Sequence, residues 1–165
     1  MKKSLLVFAA LLLIFQGCKK ENPEQPEEKE DTVHFKVLDF NGNALNNNEE
    51  FVFDTTGTAA TLRLMIQNLT DKEIKIKTKL IETNGDNGSE FQVCIGNCYP
   101  SMQPGVEYPI NVDYVVEANS TTAPDDIHYT NFYSVPCYYK VEIYEVDDNG
   151  DKVGEAFTFK YIYQP

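Results

Sequence analysis

Along most of this chain hydrophobic and polar residues alternate one for one, the period of a strand whose successive side chains point to opposite faces. Residues 73–82 show it most plainly: Ile74, Ile76, Thr78 and Leu80 fall on one side, Lys75, Lys77 and Lys79 on the other. The pattern predicts one packed face and one wet face. Leu62, Leu64 and Ile66 alternate with Arg63, Met65 and Gln67, and Ile110, Val112, Tyr114 and Val116 share a side opposite Asn111, Asp113 and Glu117. Tyr139, Val141 and Ile143 repeat the alternation, which leaves Tyr138 and Tyr144 facing outward beside Lys140 and Glu142. In the last run Phe157, Phe159, Tyr161 and Tyr163 share one face. Between the runs stand Asn41-Gly42, Asn84-Gly85-Asp86-Asn87-Gly88, Pro104-Gly105 and Asn149-Gly150, residues that supply the positive φ of tight turns.

The runs predict strands near residues 33–39, 50–54, 60–68, 73–82, 90–95, 107–117, 127–133, 138–146 and 154–163, roughly eight or nine in all, and no helix. Many short, half-buried strands joined by Gly/Asn turns predict an all-β fold: two packed antiparallel sheets in an immunoglobulin-like sandwich, with a closed barrel as the alternative. The immunoglobulin label is architectural, because the chain has no tryptophan to make the Cys-Trp-Cys signature.

The first thirty-odd residues break the pattern. Lys2 and Lys3 precede the apolar run from Leu5 to Phe15, and Gln16-Gly17-Cys18 follows, the order of a secretory signal. As a helix that run rises only ~16 Å against a hydrocarbon core of ~30 Å, which disfavours a permanent membrane span. Ile14-Phe15-Gln16-Gly17-Cys18 resembles a lipobox, of the looser kind found in the Bacteroidota, with Phe15 where leucine is usual. The resemblance implies cleavage before Cys18 and acylation of that cysteine, hence a membrane partner through the lipid. Residues 19–31 contain no hydrophobic side chain and read as a disordered acidic tether of ~40 Å. Charged residues directly behind the cysteine also resemble the signal that sends Bacteroidota lipoproteins to the outer surface of the outer membrane, the periplasmic face being the alternative. The organisation is then a signal peptide at 1–17, a lipidated cysteine and tether at 18–31, and one sandwich domain at 32–165.

The second half carries a further resemblance. Phe91-Gln92-Val93-Cys94-Ile95-Gly96-Asn97-Cys98-Tyr99-Pro100, the aromatic strand from Tyr138 and the closing Phe157-Thr158-Phe159-Lys160-Tyr161-Ile162-Tyr163 look like small immunoglobulin-like modules of secreted Bacteroidota proteins. In such modules the last strand often leads into a sorting domain. Here the chain stops at Pro165, and the lipid anchor is expected to replace that route.

Charge narrows the partners. Cleavage removes two of the 14 basic residues and none of the 26 acidic ones, so the mature chain carries 12 − 26 = −14. Nucleic acid and anionic membrane surfaces are poor partners for such a chain. An oxidising envelope makes disulfides the default for Cys94, Cys98 and Cys137. Residues four apart on a straight strand lie ~13 Å apart, beyond the ~7 Å limit for bridged Cα atoms, so a Cys94–Cys98 bridge needs the bend that Gly96-Asn97 offers. That pairing is favoured; bridges from Cys137 to either cysteine stay open. A metal site is disfavoured, since the one close Cys pair lacks a second ligand pair and His34 and His128 are distant in sequence.

No catalytic set stands out. Asp147-Asp148-Asn149-Gly150-Asp151 lacks EF-hand spacing and reads as a hairpin turn. There is neither a G-x-S-x-G elbow nor a P-loop. His34 and His128 fall within strand patterns, and no cofactor is implied. Asp31-Thr32-Val33 and Asp54-Thr55-Thr56 resemble the short O-glycosylation acceptor of exported Bacteroidota proteins, which makes Thr32 and Thr55 candidate acceptors. Tyr138 and Tyr144 are the candidate aromatic binding face. The expected function is non-enzymatic binding or scaffolding at the envelope, toward an unidentified protein or glycan. The alternatives are a glycan-binding accessory lipoprotein and a hydrolase of unknown type.

Overall fold

The computed structural model describes residues 33–124 and 126–165; the leader, Cys18, the tether and Thr32 lie outside the described residues. In chain order the strands are β1 (Phe35–Asp39), β2 (Glu49–Phe53), β3 (Thr61–Asn68), β4 (Ile74–Asn84), β5 (Phe91–Ile95), β6 (Asn97–Tyr99), β7 (Glu107–Tyr108), β8 (Tyr114–Val116), β9 (Ile127–Asn131), β10 (Cys137–Val146) and β11 (Lys152–Tyr163). A single 3-10 turn, Gly57–Ala60, is the helical structure among the described residues.

The strands form two sheets, one in the order β1-β3-β9-β5-β6 and one in the order β2-β11-β10-β4-β7 with β8 also on β4. The expected two-sheet sandwich is therefore the fold, and the closed barrel is not. One pair departs from the antiparallel rule: β2 runs parallel to β11. Its chain crosses from β1 on the opposite sheet, so no tight hairpin dictates its direction.

Alternation builds the core. Leu62, Leu64 and Ile66 of β3, Ile74, Ile76, Thr78 and Leu80 of β4, Tyr139, Val141 and Ile143 of β10, and Phe157, Phe159, Tyr161 and Tyr163 of β11 all point between the sheets and are buried. Aromatic rings fill the middle: Phe91 stacks on Tyr139 with centroids 4.0 Å apart, and Tyr129 meets Phe159 edge-on at 5.0 Å. Tyrosines in such a place need partners for their hydroxyls. Tyr129 of β9 meets Thr78 of β4 at 2.7 Å, Tyr161 donates to the Ala60 carbonyl, and Tyr139 donates to Asp86 Oδ2 at 2.8 Å. At one end of the sandwich His34 Nδ1, just before β1, lies 2.6 Å from Glu145 Oε2 of β10, joining the two sheets.

Two turns are built alike. In Asp39-Phe40-Asn41-Gly42-Asn43 and in Asp147-Asp148-Asn149-Gly150-Asp151 the first carboxylate accepts backbone N–H bonds from the third and fifth residues at 2.8–2.9 Å. Both carboxyls are held below their ordinary acidity range, Asp39 chiefly by the Asn43 side chain and Asp147 chiefly by the Asp151 N–H. The acidic 147–151 segment is thus a hairpin turn, as its spacing indicated.

The expected strand at 107–117 is broken into β7 and β8. Pro109 offers no N–H to a ladder and Asn111 takes a φ of 58°, so the chain loops away and Ile110 and Val112 stand exposed instead of joining Val116 in the core.

Candidate functional site

The outer face of the six-stranded sheet carries the residues expected to be wet or to bind. Its lysine row is not open. Lys77 donates to the Pro109 and Val112 carbonyls at 2.9 and 2.6 Å, so the 109–113 loop lies across it. Lys75 pairs with Asp148 at 2.8 Å and Asp113 at 3.3 Å, and Lys79 pairs with Glu107 at 3.1 Å. These contacts roof over Tyr144, which is only 2% exposed although it points outward from the core. Its hydroxyl donates to Glu107 Oε1 at 2.6 Å, and the ammonium groups of Lys79 and Lys152 lie 5.8 and 5.3 Å from its ring centre. Burial first, and then the Glu107 acceptor, push the Tyr144 hydroxyl well above its ordinary range. Tyr144 is therefore a packing residue and not half of an exposed platform.

Tyr138 is placed differently. It lies six residues earlier on β10, ~20 Å away along the strand, and is half-buried with its hydroxyl on Glu82 and Lys160 5.3 Å from its ring centre. Strand register sets it beside Ile162 of β11, and Ile162 beside Val52 of β2. Val52 is 62% exposed. The result is an apolar row, Val52–Ile162–Tyr138, crossing three strands on the outer face. Next to it opens a cleft of about 460 Å³ lined by Asn84, Pro136, Tyr138, Ile162 and Tyr163. The Glu50–Lys160 ion pair, 3.0 Å apart, lies on the same face two residues away along β2 and β11. Sequence reasoning found Tyr138 and missed Val52 and Ile162, because only pairing across strands brings them together.

Cys94 and Cys98 lie on the other sheet. β5 and β6 form a hairpin with Gly96 at its tip, and register sets Cys94 opposite Cys98. They are bridged, with Cα atoms 4.0 Å apart. The favoured pairing is the one present. On β10, Cys137 is the free thiol among the described residues, buried beside Tyr139 and Asn131 and pushed up in pKa by that burial. His128 of β9, judged distant from the cysteines in sequence, sits directly across from Cys94 on the neighbouring strand.

The remaining candidates scatter. Thr55 is exposed in the loop after β2, open to modification, while Cys18 and Thr32 lie outside the described residues. Asn68, whose Asn-Leu-Thr sequence matches a eukaryotic N-linked acceptor, is buried, and its amide donates to the carbonyls of Lys72, Val116 and Glu117. It closes the β3–β4 connection and is not a surface acceptor. Among the described residues the carboxylates with lowered pKa are all engaged: Asp39 and Asp147 in turns, Glu107 with Tyr144 and then Lys79, and Asp86 in the 84–88 turn. For Asp86, partial burial works to raise the pKa, and bonds from Tyr139, Asn87, Gly88 and Ser89 outweigh it.

No family model and no curated protein matches the chain. Among solved structures it is similar to the N-terminal domain of PorA, with a TM-score of 0.47 and 15% identity over 79% of this chain and 97% of that one. It is also similar to an ASH/PapD-like domain of human CEP192, with a TM-score of 0.39 and 14% identity over 88% of this chain and 94% of that one. Both likenesses are loose, and neither bears on what this chain binds.

Proposed function

We propose that this protein is a lipid-anchored, non-enzymatic component of a bacterial outer membrane, displayed at the cell surface, that holds a protein partner on the outer face of its six-stranded sheet. The observation that carries the binding role is the Val52–Ile162–Tyr138 row beside a cleft of about 460 Å³. Contiguous apolar side chains of this kind, bounded by charge, are the makings of an interface centre. The anchor rests on the sequence around Cys18.

A protein partner is favoured over a glycan for a geometric reason. Sugars stack on free ring faces, but the Tyr144 ring is buried under lysines and Lys160 lies against the Tyr138 ring. Aliphatic Val52 and Ile162 suit a protein surface. The engaged state of the perturbed carboxylates supports the non-enzymatic reading.

The test is crosslinking on intact cells with wild type, Val52→Asp and Tyr138→Ala, together with palmitate labelling of Cys18→Ala. A crosslinked partner present with wild type and lost from both face variants supports the role; undiminished crosslinking in both removes it. Labelling that survives Cys18→Ala removes the anchor. A glycan array with ligands that Tyr138→Ala no longer binds would replace the protein partner with a sugar.

A further inference from the structure

Across the outer side of the five-stranded sheet, register sets Arg63 of β3 opposite His128 of β9, His128 opposite Cys94 of β5, and Cys94 opposite Cys98 of β6. Inward-facing Leu62, Leu64, Ile127, Tyr129, Val93 and Ile95 hold this row's backbone in the core. The two sulfur atoms and a ring nitrogen of His128 all lie within 4.8 Å of one another. The sulfurs are close because they are bonded, and the imidazole approaches both; once the bond is reduced, two thiols and an imidazole at that spacing are a ligand set.

We propose that the reduced form of this hairpin binds one zinc-class cation through Cys94, Cys98 and His128, so that the disulfide is the closed state of a redox-gated metal site. Opening needs a reductant, a small-molecule or protein dithiol. It delivers two electrons and two protons to the Cys94–Cys98 bond and leaves as its own disulfide. The cation then displaces the two thiol protons, and the Cys94 and Cys98 sulfurs and one imidazole nitrogen become its ligands.

Geometry supports each part. Cys98 is exposed and Cys94 buried, so an attacking thiolate reaches the Cys98 sulfur from solvent and expels that of Cys94. Tetrahedral zinc, with bonds of about 2.3 Å to sulfur and about 2.0 Å to nitrogen, holds its ligand atoms roughly 3.5–4 Å apart. Side-chain rotation after the sulfurs separate reaches that spacing, with the strands already in register. Thiolate and imidazole together select zinc-class and other soft cations over calcium or magnesium. Two thiolates neutralise a divalent ion, so Arg63 in the same row does not oppose its binding. Three protein ligands would leave a fourth position for water, as in open three-ligand sites.

The experiment uses the purified mature chain, oxidised or reduced under argon, and measures zinc uptake by competition with a chromophoric chelator, proton release, and cobalt-thiolate charge-transfer absorption. Expected are one zinc per reduced chain with sub-micromolar affinity, two protons released, none bound by the oxidised chain, and at least about tenfold weaker binding by His128→Ala, since even the loss of an outer partner costs that much. No zinc bound by the reduced wild type, or equal affinity in His128→Ala, overturns the proposal. Strand circular dichroism is followed alongside. A reduced chain that loses its strand signal and does not regain it with zinc also counts against the site.

Discussion

The hydroxyl of Tyr129 lies 2.7 Å from Oγ1 of Thr78, a hydrogen bond through the middle of the core from one sheet to the other. Thr78 also reaches the Glu142 carbonyl oxygen at 3.1 Å, which can only accept, so the threonine proton goes there and Tyr129 donates to Thr78. Thr78→Val strands the fully buried tyrosine hydroxyl and is expected to cost about 1–3 kcal/mol, the usual penalty for an orphaned buried donor. Tyr129→Phe leaves Thr78 bonded to Glu142 and should cost less, about 0.5–1.5 kcal/mol. Urea denaturation of both and of the double variant tests this; equal costs, or strict additivity, would mean the bond is not made.

Tyr138 and Tyr144 look equivalent in sequence and should behave oppositely. Tyr144→Ala removes a buried ring with its Glu107 bond and is expected to lose about 3–5 kcal/mol of stability, as large aromatic truncations do. Tyr138→Ala, half-buried on an open face, should lose less than half of that. Thermal melts of the two variants decide it, and similar losses would contradict the buried placement of Tyr144.

The Cys94–Cys98 bridge closes a short loop of sequence separation 4. Chain-entropy reasoning gives such a loop about 2 kcal/mol. Replacing both cysteines with alanine should lower the unfolding free energy from urea denaturation by about that amount while strand circular dichroism is retained. A chain that no longer folds would show that the bridge holds more than its hairpin.

Stability should fall at both ends of the pH scale. Asp39, Asp86, Glu107 and Asp147 have folded pKa values below their ordinary values of 3.8 for Asp and 4.5 for Glu, so the stability they contribute is present above those values and lost as pH falls through the lower folded ones. Tyr129, Tyr139 and Tyr144 are pushed above 10.0, chiefly by burial, so their contribution is complete below pH 10.0 and is lost as pH rises beyond it. Urea midpoints across pH 2.5 to 11 should form a plateau with two falling limbs, and Asp147→Asn, whose carboxylate bonds only its own turn, should shallow the acid limb alone. A flat acid profile would contradict the assignment.

Two turn glycines should differ. A Cβ on Gly88 would lie 2.0 Å from the Met102 carbonyl oxygen, whereas one on Gly150 meets nothing within 4 Å. Both have positive φ, so Gly150→Ala should cost only the backbone term of about 1–2 kcal/mol, and Gly88→Ala clearly more because Met102 must move. Melting temperatures of the two variants test the difference.

Much of this was legible in residue order. Period-two alternation named the inward sets on β3, β4, β10 and β11, because each side chain's face follows from its neighbours along the strand. Asn41-Gly42 and Asn149-Gly150 marked their turns through their own backbone preferences, and Gly96-Asn97 marked the bend that lets Cys94 meet Cys98. These are local properties. Pairing between strands is not. The parallel course of β2, the loop that splits 107–117 and shields Lys77, the burial of Tyr144, the His34–Glu145 contact and the approach of His128 to Cys94 all depend on which strands lie side by side. Residues more than thirty positions apart carry no mutual signal in a period of two. The chain alone thus determined an all-β fold of alternating strands and most of the side chains that fill it, while tertiary pairing settled the sandwich, exposed Ile110 and Val112, buried Tyr144, and decided which surface residues stand together as an apolar row or a set of metal ligands.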